Sequence, residues 1–586
     1  MKWSLKSLYS SFEDNNFESD MKKFEKKITE INNWTAKKLK DYDNKKTKIE
    51  EFIKHQIRYR KLLTKLKSFC RLTLSVETDN TKALNFTEII NKRQIKITKS
   101  EVRFKKWLDG IDSLKDIINK SELLKKHSFY LMEMKENAEY LISEDEEFII
   151  AKLKNTGSSA WNRLHQKLTS SLMIEIEKQG KIKELPLPVI RNMYHDANSD
   201  IREKAYQAEI DSYANIEQSA AACLNSIKGE IINLSELKGY KSVLHKTLQQ
   251  SRLKKKTLDL MFDTVGDYLP EFEKFFQKKA KILGYKKGLP FYDLFASIKG
   301  FDKKFNYDEA KNFIIDNFKD FSQDLADFAQ YAFENNWIDA KPREGKRGGA
   351  FCSNIHAIGE SRILANFNGE FSNVKTLAHE LGHGYHGHIL KEESILNSSY
   401  PMPLAETASI FCETIIMEAM LSKSKKEEKK ALLEKQLTNY GQTIVDIYSR
   451  YLFEDEVINR RKEEILSAEE LKNIMIKAQK KAYGQGLDHK NLHPYMWLNK
   501  PHYYIPDLHY YNFPYTFGLL FAKGVYAVYK QKGDDFIPEY KKLLKATGKM
   551  EIENVAELIG IDINNKKFWK NSLELIKNEI NEFLKL

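Results

Sequence analysis

Proline is absent from the first 185 residues of this 586-residue chain, and Pro186 is the first to occur. Proline removes a backbone hydrogen-bond donor and clashes with the preceding helical turn, so its absence permits long helices. Over residues 19–185, apolar residues recur at spacings of three and four among Lys and Glu, as in FEKKITEINNWTAKKLKDY, which is the period of amphipathic helices. Only 25 Gly and 12 Pro occur in the whole chain. We therefore predict a mostly α-helical protein.

The clearest break in the first half is the LPLP sequence at 185–188. It predicts an N-terminal helical region over 1–188 and a second region over 189–586. The sequence changes character between about Asp339 and Gly369, a stretch that holds five of the 25 glycines. Within it, RGGAFCSNI and SRILANF predict two short strands, whereas the residues that follow return to helical periodicity.

The net charge of +13 allows two interpretations. It could attract polyanions or acidic substrates. However, Lys and Glu are interleaved throughout, which favours a solvated helical surface, and we expect no nucleic-acid partner.

The four cysteines are far apart, and none forms a CxxC pair, which argues against both a disulfide framework and a cysteine zinc site. The N-terminal residues contain no apolar targeting segment, and no run of 18 apolar residues occurs. The sequence therefore predicts a cytoplasmic protein with reduced thiols and no membrane association.

The most specific motif is HELGH at 379–383. On a helix, His379 and His383 share one face and can bind one metal ion. Glu380 can then hold and deprotonate a metal-bound water, whose pKa zinc lowers to about 7. The alternative is two packed histidines and a surface glutamate. Gly382 and Gly384, in and beside the motif of a glycine-poor chain, favour the metal site.

A third ligand is needed, and Glu406 is the best candidate, since two His and one Glu form the ligand set of many catalytic zinc enzymes. It lies 27 residues after His379 and opens the amphipathic stretch PLAETASIFCETIIMEAM. Alternatively, it is an ordinary acid that stabilises a helix N-terminus. Glu413 could accept a hydrogen bond from a ligand His, or form a structural pair. His386 is interpreted as a packing or supporting residue, because three ligands on successive turns of one helix cannot surround a metal tetrahedrally.

HELGHGYH at 379–386, followed by AETAS at 405–409, resembles the thimet oligopeptidase/oligoendopeptidase F family of zinc peptidases, and the oligoendopeptidase F branch in particular. WSLKSLY at 3–9, RGGAF at 347–351 and YYNFPYTFG at 510–518 extend the resemblance over essentially the whole chain. It implies a mostly α, two-lobed, zincin-like peptidase with a small β-sheet beside the HExxH helix and a deep central channel.

Carried over to this sequence, the resemblance implies one zinc ion per chain on His379, His383 and Glu406, with Glu380 as the general base. It also implies a His and Tyr group in the late aromatic segment that contacts the substrate carbonyl. These residues would be His502, Tyr511 and Tyr515, with His509 as the alternative histidine. A hydroxyl or imidazole N–H at that place can stabilise a tetrahedral oxyanion. The other interpretation is an aromatic cluster that closes the core.

The predicted strand over 362–368 would lie beside the HExxH helix. Its edge, at Ala365 and Phe367, could pair with an extended peptide by strand addition. Gly348 and Gly349 would let backbone approach the substrate closely.

These observations predict a zinc endopeptidase that hydrolyses short, unstructured oligopeptides. A zinc carboxypeptidase or dipeptidyl carboxypeptidase is the alternative, and it needs a basic group such as Arg362 or Arg347 for the peptide C-terminus. A basic, non-catalytic binding protein is a third possibility. The ligand set argues against it, because a structural zinc site is closed by a fourth protein ligand.

Overall fold

The computed structural model describes residues 1–178, 180–298 and 300–586. Helices predominate in these residues, and five strands form two small sheets, which confirms the mostly α-helical prediction. The helices of the first part of the chain are Asn15–Lys38, Lys45–Val76, Thr81–Ile95, Thr98–Asp109, Leu114–Asn119, Glu122–Lys126, Ser128–Ala138, Glu144–Thr156 and Ser158–Ser170. Those of the middle part are Leu187–Asn192, Ser199–Tyr213, Glu217–Leu237, Val243–Gln250, Lys255–Ile282, Tyr307–Phe321, Gln323–Glu334 and Phe371–Leu390. Those of the last part are Met402–Ala405, Thr407–Lys423, Lys426–Tyr440, Ile447–Arg460, Ala468–Tyr483, Met496–Asn499, Phe513–Lys532, Phe536–Ala546, Ile552–Glu557 and Lys566–Lys585.

The proline-free segment is helical as predicted up to Ser170, but its end is a β-hairpin. Strand β1 (Met173–Lys178) pairs antiparallel with β2 (Lys181–Pro186). The helical prediction is wrong here because the sequence switches to a period of two. Ile174 and Ile176 are buried on one face, and glutamates follow each of them on the other. None of the described helices is both long and apolar enough to cross a membrane.

Contacts divide the chain into two compact units, and each unit is assembled from three separate segments. Unit 1 comprises Met1–Phe148, Asp302–Met420 and Val528–Ile561. Unit 2 comprises Ile149–Phe301, Leu421–Ala527 and Asp562–Leu586. The two regions predicted from the sequence, 1–188 and 189–586, are continuous segments of the chain, and the boundary between them stays a prediction.

A three-stranded sheet in unit 1 contains both strands that the sequence predicts. β3 (Ile338–Asp339) pairs parallel with β5 (Glu360–Leu364), and β5 pairs antiparallel with β4 (Phe351–Ile355), so that β5 is central. The sheet packs against helix Phe371–Leu390, called here the HExxH helix. The small sheet beside this helix is therefore confirmed.

The opposite face of the sheet is anchored in the core of the N-terminal helices. Ile355 and Leu364 belong to the same buried cluster as Phe17, Phe24 and Phe69. Side chains alternate between the two faces of a strand, so Ile355 enters this core while its neighbour Asn354 faces the HExxH helix. The sheet is thus fixed from both sides next to the motif.

Unit 2 is built around helix Lys255–Ile282, which packs along helix Lys566–Lys585. Phe275 and Phe583 meet edge to face with ring centroids 5.4 Å apart. Its core also holds buried ion pairs, such as Lys228 with Glu454 at 2.7 Å. Removal of one partner from such a pair costs about 3–5 kcal/mol, because the other charge is left buried and uncompensated.

Candidate metal centre and active site

The HELGH motif lies in the middle of the HExxH helix, as its spacing predicts. The rings of His379 and His383 are nearly perpendicular, with centroids 4.9 Å apart. Leu377 and Leu381 are fully buried, and this packing anchors the helix. The two imidazoles remain partly exposed on one face.

Glu406 lies in the short break between helices Met402–Ala405 and Thr407–Lys423. Its Oε2 is 3.3 Å from Nε2 of His379 and 3.5 Å from Nε2 of His383. Donors about 2.0–2.1 Å from a tetrahedral zinc are about 3.3–3.4 Å from one another, so this set fits such an ion. Within the described residues, these three form the one group of His, Cys, Asp or Glu side chains that could hold a metal.

Further polar groups fix the orientation of these side chains. Oε2 of Glu413 lies 3.2 Å from Nδ1 of His379. The other oxygen of Glu413 pairs with Lys375 Nζ at 2.7 Å. Ser409 Oγ donates to Oε2 of Glu406 at 2.8 Å. Partners of this kind set the tautomer and direction of a metal-binding imidazole.

Gly382 allows the HExxH helix to contact the segment that carries Glu406 directly. A Cβ atom at this position would lie 2.5 Å from the carbonyl oxygen of Ala408 and 2.6 Å from Cα of Ser409. Both are backbone atoms, so a side chain could fit only if the two helices moved apart. The motif glycine therefore has a packing reason, which the sequence only hinted at.

Glu380 is only 6 % exposed, and its carboxyl group faces the backbone N–H of Cys352 on β4. Its Oε2 has no hydrogen-bond partner within the described parts of the chain. Burial is the main cause that raises the pKa of Glu380 to about 7. A carboxyl group with such a pKa can accept and release a proton near neutral pH.

The candidate ligands differ in protonation. Burial lowers the pKa of His379, but the carboxylates of Glu406 and Glu413 outweigh it and bring the pKa to about 10. Burial, with the neighbouring His379, lowers the pKa of His383 to about 4. Burial is the largest single influence on the pKa of Glu406 and raises it, but the hydrogen bonds with His379 and Ser409 and the two neighbouring imidazoles together lower it to about 2.

The late aromatic residues form a cluster in unit 2. The ring of His502 stacks on Tyr511 with centroids 5.2 Å apart, and Tyr515 approaches it edge-on at 6.3 Å. All three side chains are partly exposed. Burial lowers the pKa of His502 to about 4, so its ring is neutral. The alternative, His509, is buried with Nδ1 3.2 Å from Lys228 Nζ and lies outside this cluster.

His386 is fully buried on the HExxH helix, outside the group that could hold a metal. Its Nε2 is 2.8 Å from Oγ1 of Thr547, and its ring stacks on Tyr400 with centroids 4.1 Å apart. The structure therefore gives it packing contacts.

The interpretation of residues 362–368 as a free peptide-binding edge is wrong. Ala365 donates its N–H to the carbonyl of Asp339 at 2.9 Å, and Phe367 donates to Ala340 at 2.8 Å. The two-residue strand β3, too short for a sequence pattern to reveal, occupies that side. Among the described strands, the outer one beside the HExxH helix is β4. The preceding Gly348 and Gly349 are exposed, and their approach to substrate stays a prediction.

Arg362, one of the two arginines considered for binding a peptide C-terminus, is only 2 % exposed. Its guanidinium donates to the backbone carbonyl of Ser4, to Ser7 Oγ and to the Glu360 carboxylate. It is therefore not available to a substrate. Arg347 is exposed.

Comparison with known families gives a match to the model of peptidase family M3 over residues 192–575, and to that of oligopeptidase F over residues 110–173. The chain belongs to peptidase family M3. Membership makes this M3 chain a peptidase, and the family is generally metal-dependent. The resemblance stated from the motifs is thereby confirmed.

Individual relatives agree with this assignment. The chain is 24 % identical over 602 residues to an oligoendopeptidase F homolog of Borreliella burgdorferi, with 100 % of this chain and 98 % of that protein covered. It is 23 % identical to oligopeptidase PepF of Bacillus subtilis, with 81 % and 71 % covered. The crystal structure of oligoendopeptidase-F from Enterococcus faecium matches with a TM-score of 0.73 at 18 % identity, covering 97 % of this chain and 99 % of that one. This last similarity concerns the fold.

Proposed function

We propose that this M3 peptidase is a zinc endopeptidase that cleaves short, unstructured oligopeptides, with the metal on His379, His383 and Glu406. The observation that carries the proposal is the position of Glu406 Oε2, at 3.3 and 3.5 Å from the two imidazole nitrogens. Three protein ligands leave a fourth position open, as catalytic zinc sites require. The names of the relatives, oligopeptidase and oligoendopeptidase, support peptides as the substrate class.

Two imidazoles and one carboxylate are a donor set that suits zinc. When bound, zinc lowers the pKa of water towards 7 and polarises a carbonyl group. The chain's own contribution is orientation. Glu413 holds the His379 ring through Nδ1, which leaves Nε2 directed at Glu406. Ser409 holds the carboxylate of Glu406.

Glu380 is proposed as the group that moves the proton. Its carboxylate takes a proton from the attacking water and later delivers it to the leaving amine, and a pKa near 7 suits both steps. We propose that Tyr511, Tyr515 or His502 donates a hydrogen bond to the oxyanion that forms on the scissile carbonyl. Their grouping into one partly exposed cluster supports this role.

We propose that the substrate binds in an extended conformation along the outer strand β4. A peptide that adds to the side of β4 away from β5 gains main-chain hydrogen bonds, and only an unstructured segment can bind in this way. We propose endopeptidase rather than carboxypeptidase activity, because relatives are named oligoendopeptidases and because Arg362, one of the two arginines considered for a peptide C-terminus, is buried and fully engaged. The four cysteines are free thiols, which agrees with the cytoplasmic location that we propose.

The test is digestion of a peptide of about eight residues, blocked at both ends, with fragments identified by mass spectrometry. The samples are the purified protein, the chelated protein, the chelated protein reloaded with zinc, and Glu380→Gln. We expect internal cleavage in the first and third samples alone. Cleavage only after the C-terminus is freed would indicate a carboxypeptidase. A protein that binds zinc and cleaves neither peptide would contradict the proposal.

A further inference from the structure

A cavity of about 230 Å³ opens in unit 1 beside the HExxH helix. Three elements of the proposed active site contribute to it: the end of β4, the last turns of the HExxH helix, and the segment that leads to Glu406. Its lining residues are Asn354, Ile355, His356, Gly359, Glu360, Gly387, Leu390, Ser398, Ser399 and Tyr400. The volume is below the roughly 300–1,000 Å³ of sites for whole small molecules, and it suits a single side chain.

Strand β4 runs past both the carboxylate of Glu380 and the cavity. Cys352 pairs with Ile363, whose N–H donates to Trp337 on the far side of β5, so the main-chain groups of Cys352 point away from β5 and towards Glu380. In an antiparallel strand the main-chain groups alternate in direction, so those of Asn354 point to the same side as those of Cys352. A peptide that pairs with this side therefore passes Glu380 at Cys352 and reaches the cavity at Asn354.

The walls of the cavity are held in place by specific contacts. Asn354 donates through Nδ2 to the carbonyl of His383 at 3.0 Å, and its Oδ1 accepts from Ser361 at 2.7 Å. A Cβ atom at Gly387 would lie 2.3–2.6 Å from the Asn354 amide, so the glycine leaves room for this amide. The ring of Tyr400 stacks on the buried His386 and supplies an aromatic wall.

The lining of the cavity is mainly apolar, and its one carboxylate, on Glu360, is paired with Arg362. Leu390 contributes an aliphatic side chain from the HExxH helix, and Tyr400 adds an aromatic face. Burial lowers the pKa of His356, whose ring is therefore neutral. The carboxylate of Glu360 is paired with Arg362, and no lysine or arginine is among the lining residues, so an acidic side chain placed there would lose hydration without meeting a cation.

We infer that this cavity binds one side chain of the peptide substrate, two residues from the scissile bond, and selects aromatic or aliphatic side chains over acidic ones. The inference rests on the proposed function. Cys352 and Asn354 are two residues apart, and side chains two residues apart on an extended peptide lie on one face at about 6.8 Å. Glu380 acts at the first of these places, and the cavity lies at the second.

The test uses the blocked peptide with its scissile bond mapped. Each residue is replaced in turn by Phe, Leu, Ala or Glu, and kcat/KM is measured. We expect one position, two residues from the bond, where Phe or Leu exceeds Glu by about tenfold or more, as a shaped apolar pocket discriminates. A preference found only at the residues that flank the bond, or at none, would contradict the inference.

Variants of the lining connect the preference to the cavity. Ser398→Phe fills the cavity and Tyr400→Ala removes its aromatic wall. Each should reduce the Phe-to-Glu ratio to below about threefold and change cleavage of the Ala peptide by less than about twofold. The control is Tyr331→Ala in the same unit, at a tyrosine that is 51 % exposed and outside the cavity. A wild-type ratio in both lining variants would overturn the inference.

Failure of the proposed function gives a different result, namely no cleavage of any peptide, including the Ala peptide. The cavity is then tested by binding alone. Fluorescence anisotropy with labelled Phe and Glu peptides should show tighter binding of the Phe peptide to the wild type, by about tenfold, and loss of this difference in Tyr400→Ala. Equal binding of both peptides to the wild type would overturn the inference.

Discussion

Nδ1 of His379 lies 3.2 Å from Glu413 Oε2, while Nε2 of the same ring lies 3.3 Å from Glu406 Oε2. The His379 imidazole thus lies between two carboxylates, those of Glu406 and Glu413, which are seven residues apart in the sequence. Lys375 binds the far oxygen of Glu413, so this carboxylate is fixed in turn. The direction of the proposed metal ligand therefore depends on residues that do not face the metal.

Loss of the Glu413 carboxylate should weaken metal binding. We expect Glu413→Ala to lower zinc affinity by about 10–100-fold, because the His379 ring loses its orienting partner. The affinity is measured by competition with a chromophoric chelator. Glu418→Ala is the control, since Glu418 lies on the same helix with a side chain that is 48 % exposed. Equal affinities in the two variants would show that Glu413 does not orient the ligand.

Gly382→Ala should separate the two halves of the metal site. The added methyl group would meet backbone atoms of Ala408 and Ser409 at 2.5–2.6 Å, so we expect a loss of about 1–3 kcal/mol in unfolding free energy and of most bound zinc. Gly266→Ala is the matched control, because Gly266 is also inside a helix and its Cβ would meet nothing within 4 Å. There alanine should be neutral or stabilise by up to about 1 kcal/mol. Denaturant unfolding and metal analysis give both values.

Metal binding should release about one proton from the ligands. In the metal-free protein His379 keeps its proton up to a pKa of about 10, whereas His383 and Glu406, with pKa values of about 4 and 2, have already lost theirs at neutral pH. Zinc must displace the proton of His379, so its affinity should rise about tenfold per pH unit between pH 8 and 9, where Glu380 is ionised. Calorimetry in two buffers of different ionisation enthalpy counts the protons. An affinity independent of pH would contradict this protonation pattern.

Glu380→Gln should keep its zinc and lose turnover by about 10²–10⁴-fold, because the amide cannot accept the proton of the attacking water. His383→Ala should lose both zinc and turnover. His388→Ala on the same helix is the control, since this histidine is not part of the candidate metal group. Metal analysis beside peptide cleavage distinguishes the cases. Full activity in Glu380→Gln would refute its role as general base.

Tyr511→Phe or Tyr515→Phe should lower kcat by up to about 10²–10³-fold if that hydroxyl donates to the oxyanion. Tyr504→Phe is the control in the same segment, because its buried hydroxyl has no hydrogen-bond partner within the described residues. Its removal should leave kcat unchanged. Steady-state kinetics on one peptide compare the three variants. Unchanged kcat in both Tyr511 and Tyr515 variants would restrict the oxyanion role to His502.

The local part of the site was predictable from the sequence because helical geometry determines it. A spacing of four puts His379 and His383 on one face of any helix, whatever surrounds it. Glu406 was a weaker prediction, since only tertiary packing through Gly382 brings its segment to the histidines. Glu380 could be identified as a candidate base, but its pKa depends on burial that the sequence does not display.

The β-structure shows where sequence patterns were insufficient. The sequence predicts β5 as an edge strand because it does not reveal the partner strand β3. That strand has only two residues and lies more than twenty positions earlier in the chain. The hairpin of β1 and β2 was missed because its isoleucines alternate with the same Lys and Glu that surround the helices. The choice of His502 over His509 for the aromatic cluster likewise required the positions of the rings.

The interleaving of the two units has a consequence for biosynthesis. Domains commonly fold one after another as they leave the ribosome. Here unit 1 needs Val528–Ile561 and unit 2 needs Asp562–Leu586. Unit 1 is therefore incomplete until residue 561 has been synthesised, and unit 2 until residue 586 has been synthesised. At about 5–20 residues per second, the nascent chain stays unfinished for about half a minute to two minutes. During this time the apolar faces of the newly made helices remain exposed, and such surfaces are prone to aggregation.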